Sequence, residues 1–255
     1  MGTDDPTNWR PIAVLRVIYK LLSRMVSNRI LPTLDCSQTA DQCGFRPGFR
    51  IDDALTSVEL LPQKTGEWNI PVWMASLDLK KAFDRTPHAP LLDALAQQGL
   101  DPGYVSLIAA LYNGQTAKVN GSRAFSIQRG VRQGDVLSSL LFNAGVESAM
   151  RKWKQRLPDG AGIQFSPGAE RLTNVSHADD KLIVATLLDE LPSMIATLVK
   201  HFEAVGLELS YKKCVILSNL DARCGAEAAR FARLGGKRVR IRILPCDLAR
   251  KSPTA

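Results

Sequence analysis

Apolar positions along the chain alternate between helical and strand periods. Val14, Val17, Ile18, Leu21, Leu22, Met25 and Val26 recur at helical spacing and predict an amphipathic helix through about Ile30, terminated by Pro32. Residues 52–61 predict a second helix, followed by a polar connection from Pro62 to Pro71. Val72-Trp73-Met74-Ala75-Ser76-Leu77 is short, apolar and partly β-branched, the signature of a buried strand. Leu91, Leu92, Leu95 and Ala96 mark a helix closing at Gly99; Val105, Leu107, Ile108, Leu111 and Tyr112 mark another before Asn113-Gly114. Residues 117–122 and 124–127 read as two strands meeting at the Asn120-Gly121 turn. A long helix is predicted from about residue 136 to 156, and Leu172–Val175 with Leu182–Thr186 reads as a second strand pair. Leu191, Met194, Ile195, Leu198, Val199, Phe202 and Val205 share one face of a last helix. Beyond Asn219 the periodicity fades. Only residues 239–244 read as a strand, so 221–255 is expected to be an irregular basic tail, loosely attached. Helices laid on one face of an antiparallel sheet define an α+β fold.

Carboxylates interrupt this pattern where they change the picture. Asp78 emerges near the end of the first predicted strand, and Asp179-Asp180 falls at the turn of the second strand pair. Adjacent carboxylates in a tight turn repel one another, and a divalent cation offsets that repulsion. Oxygen-only ligands favour Mg²⁺, which keeps several waters and takes one or two carboxylates plus substrate phosphates. A solvated hairpin turn with no metal is the alternative reading of the same pair.

Composition narrows the classes further. A hydrophobic content of 45% excludes general disorder, and a net charge of +8 favours a polyanionic partner or an anionic surface. No apolar run approaches the ~18 residues of a membrane span, and no signal-peptide core stands at the N-terminus. The expectation is an intracellular chain, in cytoplasm or nucleus, with no membrane partner. The five cysteines are odd in number and lack Cys-x-x-Cys spacing, so neither a disulfide framework nor a zinc knuckle is indicated. His88, His177 and His201 are scattered, which argues against a histidine-ligated metal.

Motif order carries more than composition does. Asn8-Trp9-Arg10-Pro11-Ile12 with Tyr19-Lys20, then Gln42-Cys43-Gly44-Phe45-Arg46-Pro47-Gly48, precede the Asp78 segment with Ala82-Phe83-Asp84. Arg129-Gly130-Val131-Arg132-Gln133-Gly134-Asp135-Val136-Leu137-Ser138 and Leu141-Phe142-Asn143 follow, then His177-Ala178-Asp179-Asp180, then Gly206-Leu207-Glu208-Leu209-Ser210 with Lys213. In this order the chain resembles the reverse transcriptase domain of non-LTR, LINE-type retroelements from Asn8 to about Ser218. The resemblance implies a palm-and-fingers polymerase fold: residues 1–220 as the domain, about 1–70 mainly fingers and about 71–220 mainly palm. An antiparallel palm sheet would be backed by helices, with the thumb largely missing.

It also implies an RNA-directed DNA polymerase that extends a DNA primer with dNTPs on an RNA template. Asp78, Asp179 and Asp180 would be the catalytic carboxylates holding two Mg²⁺ ions, with Mn²⁺ as a substitute. Phe83 would exclude the ribose 2′-hydroxyl, or serve as a core residue. Arg10, Arg46, Gln133, Gly134 and Lys213 would meet the incoming nucleotide. For Arg46, template contact or fixing a loop stays open. His177 would line the primer-terminus pocket, and Asp84 is expected to be structural. Three positions depart from the family pattern: His177 stands for an aromatic residue, Ser138-Ser139 for Ser-Pro, and Ser210 for Asn. The competing reading is a catalytically inert, nucleic-acid-binding remnant.

Overall fold

The computed structural model describes residues 9–119, 122–219, 231–234 and 237–243. In chain order its elements are α1 (Val17–Cys36), α2 (Ile51–Glu67), β1 (Trp73–Leu77), α3 (Ala82–Arg85), α4 (His88–Gln97), α5 (Pro102–Tyr112), β2 (Thr116–Ala117) and β3 (Phe125–Ser126). There follow α6 (Val136–Lys154), β4 (Asn174–His177), β5 (Asp180–Ala185), α7 (Glu190–Ala204), β6 (Val215–Ser218), β7 (Phe231–Leu234) and β8 (Lys237–Ile243). They divide into two compact units, one built from residues up to Ser37 with Phe83–Gly145, the other from Gln38–Ala82 with residues from Val146 onward. This division does not follow a single boundary near residue 70. Among the described residues no helix is long and apolar enough to cross a membrane.

In the first unit α1 departs from its predicted form twice. It runs through Pro32 to Cys36, and the apolar stripe from Val17 to Met25 faces solvent. Its buried side is Ser23, Val26, Ser27, Ile30 and Leu34. Ending the helix at Pro32 would pull Leu34 out of line with Ile30, both 0% exposed. Burying a leucine contributes roughly 1.5–3 kcal/mol, which offsets most of the ~3 kcal/mol an internal proline costs. The α4 and α5 helices lie where their periodicity puts them, and the Asp101 side chain caps α5 by accepting from the Gly103 N–H at 2.8 Å. Strands β2 and β3 pair antiparallel but are shorter than expected. Their Asn120-Gly121 turn lies outside the described residues.

The second unit carries a six-stranded sheet in the order β4-β5-β1-β6-β8-β7. All neighbours are antiparallel except β6 and β8, which run parallel. The α2 helix continues past Pro62 to Glu67, through what was expected to be a polar connection. Its Ala54 and Leu61 join Met74, Val175, Leu182 and Val184 in one apolar cluster. Because residues alternate across a strand, Ala75, Leu77, Ile183 and Ala185 point the other way, and they too are fully buried. The sheet is therefore covered on both faces here, not on one. Of the segment 221–255, Phe231–Leu234 and Lys237–Ile243 are strands of this sheet, so an irregular tail does not describe them. The rest of that segment lies outside the described residues.

Candidate active site

Register in the second unit brings the carboxylates to one edge. Strand β1 pairs with β5 so that Leu77 faces Lys181, and one further step sets Asp78 opposite Asp180. Strand β4 pairs with β5 so that His177 faces Asp180, which leaves Ala178 and Asp179 as the turn. Burial, then the charges of Asp179 and Asp78, push the Asp180 carboxyl above its ordinary value; Lys181 and His177 pull in the opposite direction. A carboxylate destabilised by two like charges is a group for which a cation is the natural complement.

The next part of the site is built by backbone pairing. Leu79 bridges Leu209, the Ser210 N–H donates to the Asp78 carbonyl at 2.7 Å, and the Lys80 N–H donates to the Glu208 carbonyl at 2.8 Å. This pairing carries Lys213 to Asp78, Nζ to Oδ2 3.3 Å. Oδ2 of Asp78 is otherwise shielded from solvent and accepts no hydrogen bond among the described residues. A carboxylate oxygen that has the Lys213 ammonium beside it but no hydrogen bond, next to two more carboxylates, fits a hard, oxygen-seeking ion. No three His, Cys, Asp or Glu side chains among the described residues converge into a complete metal site. Mg²⁺ does not require that, since waters and substrate phosphates complete its shell.

Arg46 turns to its own loop. Its Nη1 donates to the carbonyls of Thr39 at 2.7 Å and Gln42 at 3.1 Å, and its guanidinium lies 4.7 Å from the centre of the Phe49 ring. Those bonds hold its guanidinium against the 39–42 backbone. His177 lies beside Phe45, ring centres 6.4 Å apart.

Sequence reasoning missed two residues of this edge. Gln42 Oε1 accepts from the N–H groups of Gly44 at 2.9 Å and Ala178 at 3.0 Å. Lys181, 2% exposed, donates to the Ala178 carbonyl. Burial holds its amine down to about 8, against the upward pull of Asp179, Glu147, Asp180 and Asp41. The available signal was a lone lysine opening an otherwise apolar strand.

The first unit holds the remaining candidates. Phe83 is half-buried and stacks on Phe142, centres 4.4 Å apart and planes 20° apart. The Phe83 carbonyl accepts from the Val131 N–H at 2.7 Å, which ties the ring's backbone to the Gln133 loop. Gln133 Nε2 donates to Asp84 Oδ1 at 2.8 Å, so Asp84 has a structural partner. The Gln133 carbonyl accepts from the Ala13 N–H at 2.8 Å, within a parallel bridge between Ile12 and Gln133. Gly134 has φ +101°, and a Cβ there would lie 3.2 Å from the Ala13 carbonyl oxygen. Its close approach is thus to the chain's own N-terminal segment. Arg10 is exposed, just ahead of that bridge.

Tyr19 and Asp135 secure the start of α6. The Arg132 guanidinium sits 4.6 Å from the Tyr19 ring centre and 5.1 Å from that of Tyr112, and donates to the Tyr19 hydroxyl. That hydroxyl donates to Asp135 Oδ2 at 3.0 Å; burial and the Asp135 charge raise its pKa. Asp135 Oδ1 accepts from the Leu137 N–H at 3.2 Å and caps the helix. A side-chain cap thus holds the start of α6 with no proline in its first turn.

A sheet edge with one acid after a central strand and two at the neighbouring hairpin turn is the arrangement of a polymerase palm. The chain belongs to the reverse transcriptase (RNA-dependent DNA polymerase) family, whose pattern it matches over residues 3–244. It is 30% identical, over 84% of its own length, to the retrovirus-related Pol polyprotein from type-1 retrotransposable element R2 of Popillia japonica. It is 32% identical, over 85% of its length, to the corresponding R2 polyprotein of Nasonia vitripennis. The chain spans 30% of the first relative and 21% of the second. In fold it is similar to apo telomerase from Candida tropicalis, with a TM-score of 0.58 at 12% identity, covering 87% of this chain and 39% of that one.

Proposed function

We propose that the chain catalyses RNA-templated DNA synthesis for a non-LTR retroelement, adding dNTPs to a DNA primer. The primer 3′-hydroxyl attacks the α-phosphate of the dNTP; a new P–O bond forms while the bond to the β-phosphate breaks and pyrophosphate leaves. The observation that carries this reading is the strand register that brings Asp78, Asp179 and Asp180 to one sheet edge. Asp78 and Asp179 would hold two Mg²⁺ ions and Asp180 would complete the set, Mn²⁺ serving as a substitute. When bound, the ions neutralise charge on the entering and leaving oxygens.

Other side chains supply orientation. Phe83, fixed by its stack on Phe142, presents a rigid ring against a ribose 2′-hydroxyl. Arg10, exposed and forked, suits triphosphate oxygens. Gln133 and Gly134 would meet the incoming nucleotide from a loop paired with the N-terminal segment. Lys213 neutralises Asp78 in the free protein and is available to the leaving pyrophosphate. His177 with Phe45 offers ring surface to the primer terminus.

A second reading, an inert nucleic-acid-binding remnant, is favoured by the incomplete convergence of the acidic side chains. Extension of a primed RNA template separates the two. Incorporation that needs Mg²⁺ and disappears in Asp179→Ala supports the polymerase, whereas template binding without incorporation supports the remnant.

A further inference from the structure

Ala178 immediately precedes Asp179 and has φ +55°. A residue with a Cβ disfavours this left-handed region, so the turn does not hold it by its own preference. Both polar backbone groups of Ala178 are instead taken by buried side chains from different parts of the chain. Its N–H donates to Gln42 Oε1 at 3.0 Å, and its carbonyl accepts from Lys181 Nζ. Gln42 is 4% exposed and Lys181 2%.

Each of these side chains is itself anchored. The Cys43 N–H donates to the Ser176 carbonyl at 2.8 Å and the Ser176 N–H to the Asp41 carbonyl at 2.7 Å, which pins the Gln42 backbone along β4. The Lys181 ammonium is faced by Asp179, Glu147, Asp180 and Asp41. Glu147 is held by Arg151 at 3.0 Å and by the Thr39 hydroxyl at 3.3 Å, and Asp41 by Lys154 at 2.7 Å. A charge this deeply buried is costly unless paired, and here its donor is turned inward onto one carbonyl.

We infer that Gln42 and Lys181 are positioning residues that lock Ala178 in its left-handed conformation and so aim the Asp179 and Asp180 carboxylates. Gln42 acts through Ala178, and Lys181 does so in addition to its charge on the neighbouring carboxylates. Without either bond a buried peptide group is left unsatisfied, and the turn relaxes toward the conformations alanine prefers. The side chain of the next residue, Asp179, rotates with it. The inference rests on the reading of Asp179 and Asp180 as metal-holding carboxylates.

The test uses the whole chain and two readouts besides activity. Amide hydrogen exchange at Ala178 is expected to be slow in the wild type and about tenfold faster or more in Gln42→Met. Gln42→Glu keeps an acceptor of the same length and is expected to retain slow exchange. Mn²⁺ alone, followed by electron paramagnetic resonance, is expected to bind about tenfold more weakly to both Gln42→Met and Lys181→Met. Asp179→Ala is expected to lose Mn²⁺ while keeping Ala178 exchange slow. If either methionine variant does not fold, the other carries both measurements. Wild-type exchange in the methionine variants overturns the lock. Fast exchange with wild-type Mn²⁺ affinity overturns its link to the carboxylates. If the wild type binds no Mn²⁺ at all, the metal reading fails and takes the aiming role with it, while the exchange data still decide whether the lock exists.

Discussion

A Cβ on Gly44 would lie 2.2 Å from the backbone nitrogen of Ala178 and 3.0 Å from its Cα. The loop carrying Gln42 therefore meets the Asp179-Asp180 turn backbone to backbone, with no room for the smallest side chain. Neither neighbour is the movable end of a flexible side chain, so the contact cannot be relieved by a rotamer change.

Gly44→Ala is accordingly expected to destabilise the chain by about 1–3 kcal/mol, the usual cost of overpacking. Urea denaturation checks the stability, and primer extension is expected to fall with it as the loop is pushed off the hairpin. Wild-type stability in this variant would mean that the loop and turn are farther apart than described.

Phe83→Val is expected to raise ribonucleotide incorporation relative to deoxyribonucleotide, because it removes the ring edge while keeping a β-branched apolar side chain. The lost stack on Phe142 costs about 0.5–1.5 kcal/mol beyond the lost burial, so selectivity must be read as a ratio within one preparation. An unchanged ratio in an active preparation assigns Phe83 to packing alone.

Glu147 makes stability depend on pH in a definite direction. It is 2% exposed, and burial pushes its carboxyl above the ordinary value despite the Arg151 ion pair. Between the ordinary and the raised value the folded state holds more protons than the unfolded state, so its stability rises as pH falls through that window. Wild type is thus expected to gain on Glu147→Gln as the pH is lowered from neutral toward the ordinary carboxylate range, measured as the difference between their urea denaturation curves. A difference that stays flat, or that grows toward alkaline pH, would falsify the assignment.

Arg132→Lys is expected to destabilise the chain by about 1–2 kcal/mol although charge is kept. The guanidinium plane lies against the rings of Tyr19 and Tyr112 and also donates to the Leu111 carbonyl at 2.9 Å. An ammonium offers neither the plane nor the fork. Chemical denaturation reads the loss, and a variant as stable as wild type would show that charge alone is what the site uses.

The motif order was legible because it is written in residue types alone, and the strand before Asp78 and the hairpin around Asp179-Asp180 because short, continuous apolar runs flank the acids locally. α4, α5, α6 and α7 were legible for the same reason at helical period. The buried side of α1 was not. Its apolar stripe faces solvent and its buried stripe includes Ser23 and Ser27, since periodicity marks a face but not what covers it. Nor did Pro32 and Pro62 end their helices, because Leu34 and Thr65 are buried beyond them.

By itself, then, the sequence determined the family, the α+β class and the carboxylates at the strand end and turn, all of which follow from residue type and local spacing. Only the tertiary structure decided where long side chains spend their polar ends. Arg46 goes to the Thr39 and Gln42 carbonyls, Lys213 to Asp78, and Lys181 and Gln42 to opposite sides of the Ala178 backbone. Lys213 with Asp78 and Gln42 with Ala178 join residues far apart in the chain; the Arg46 and Lys181 bonds are local, but which nearby carbonyl each takes depends on how the packing folds the loop or turn back on it.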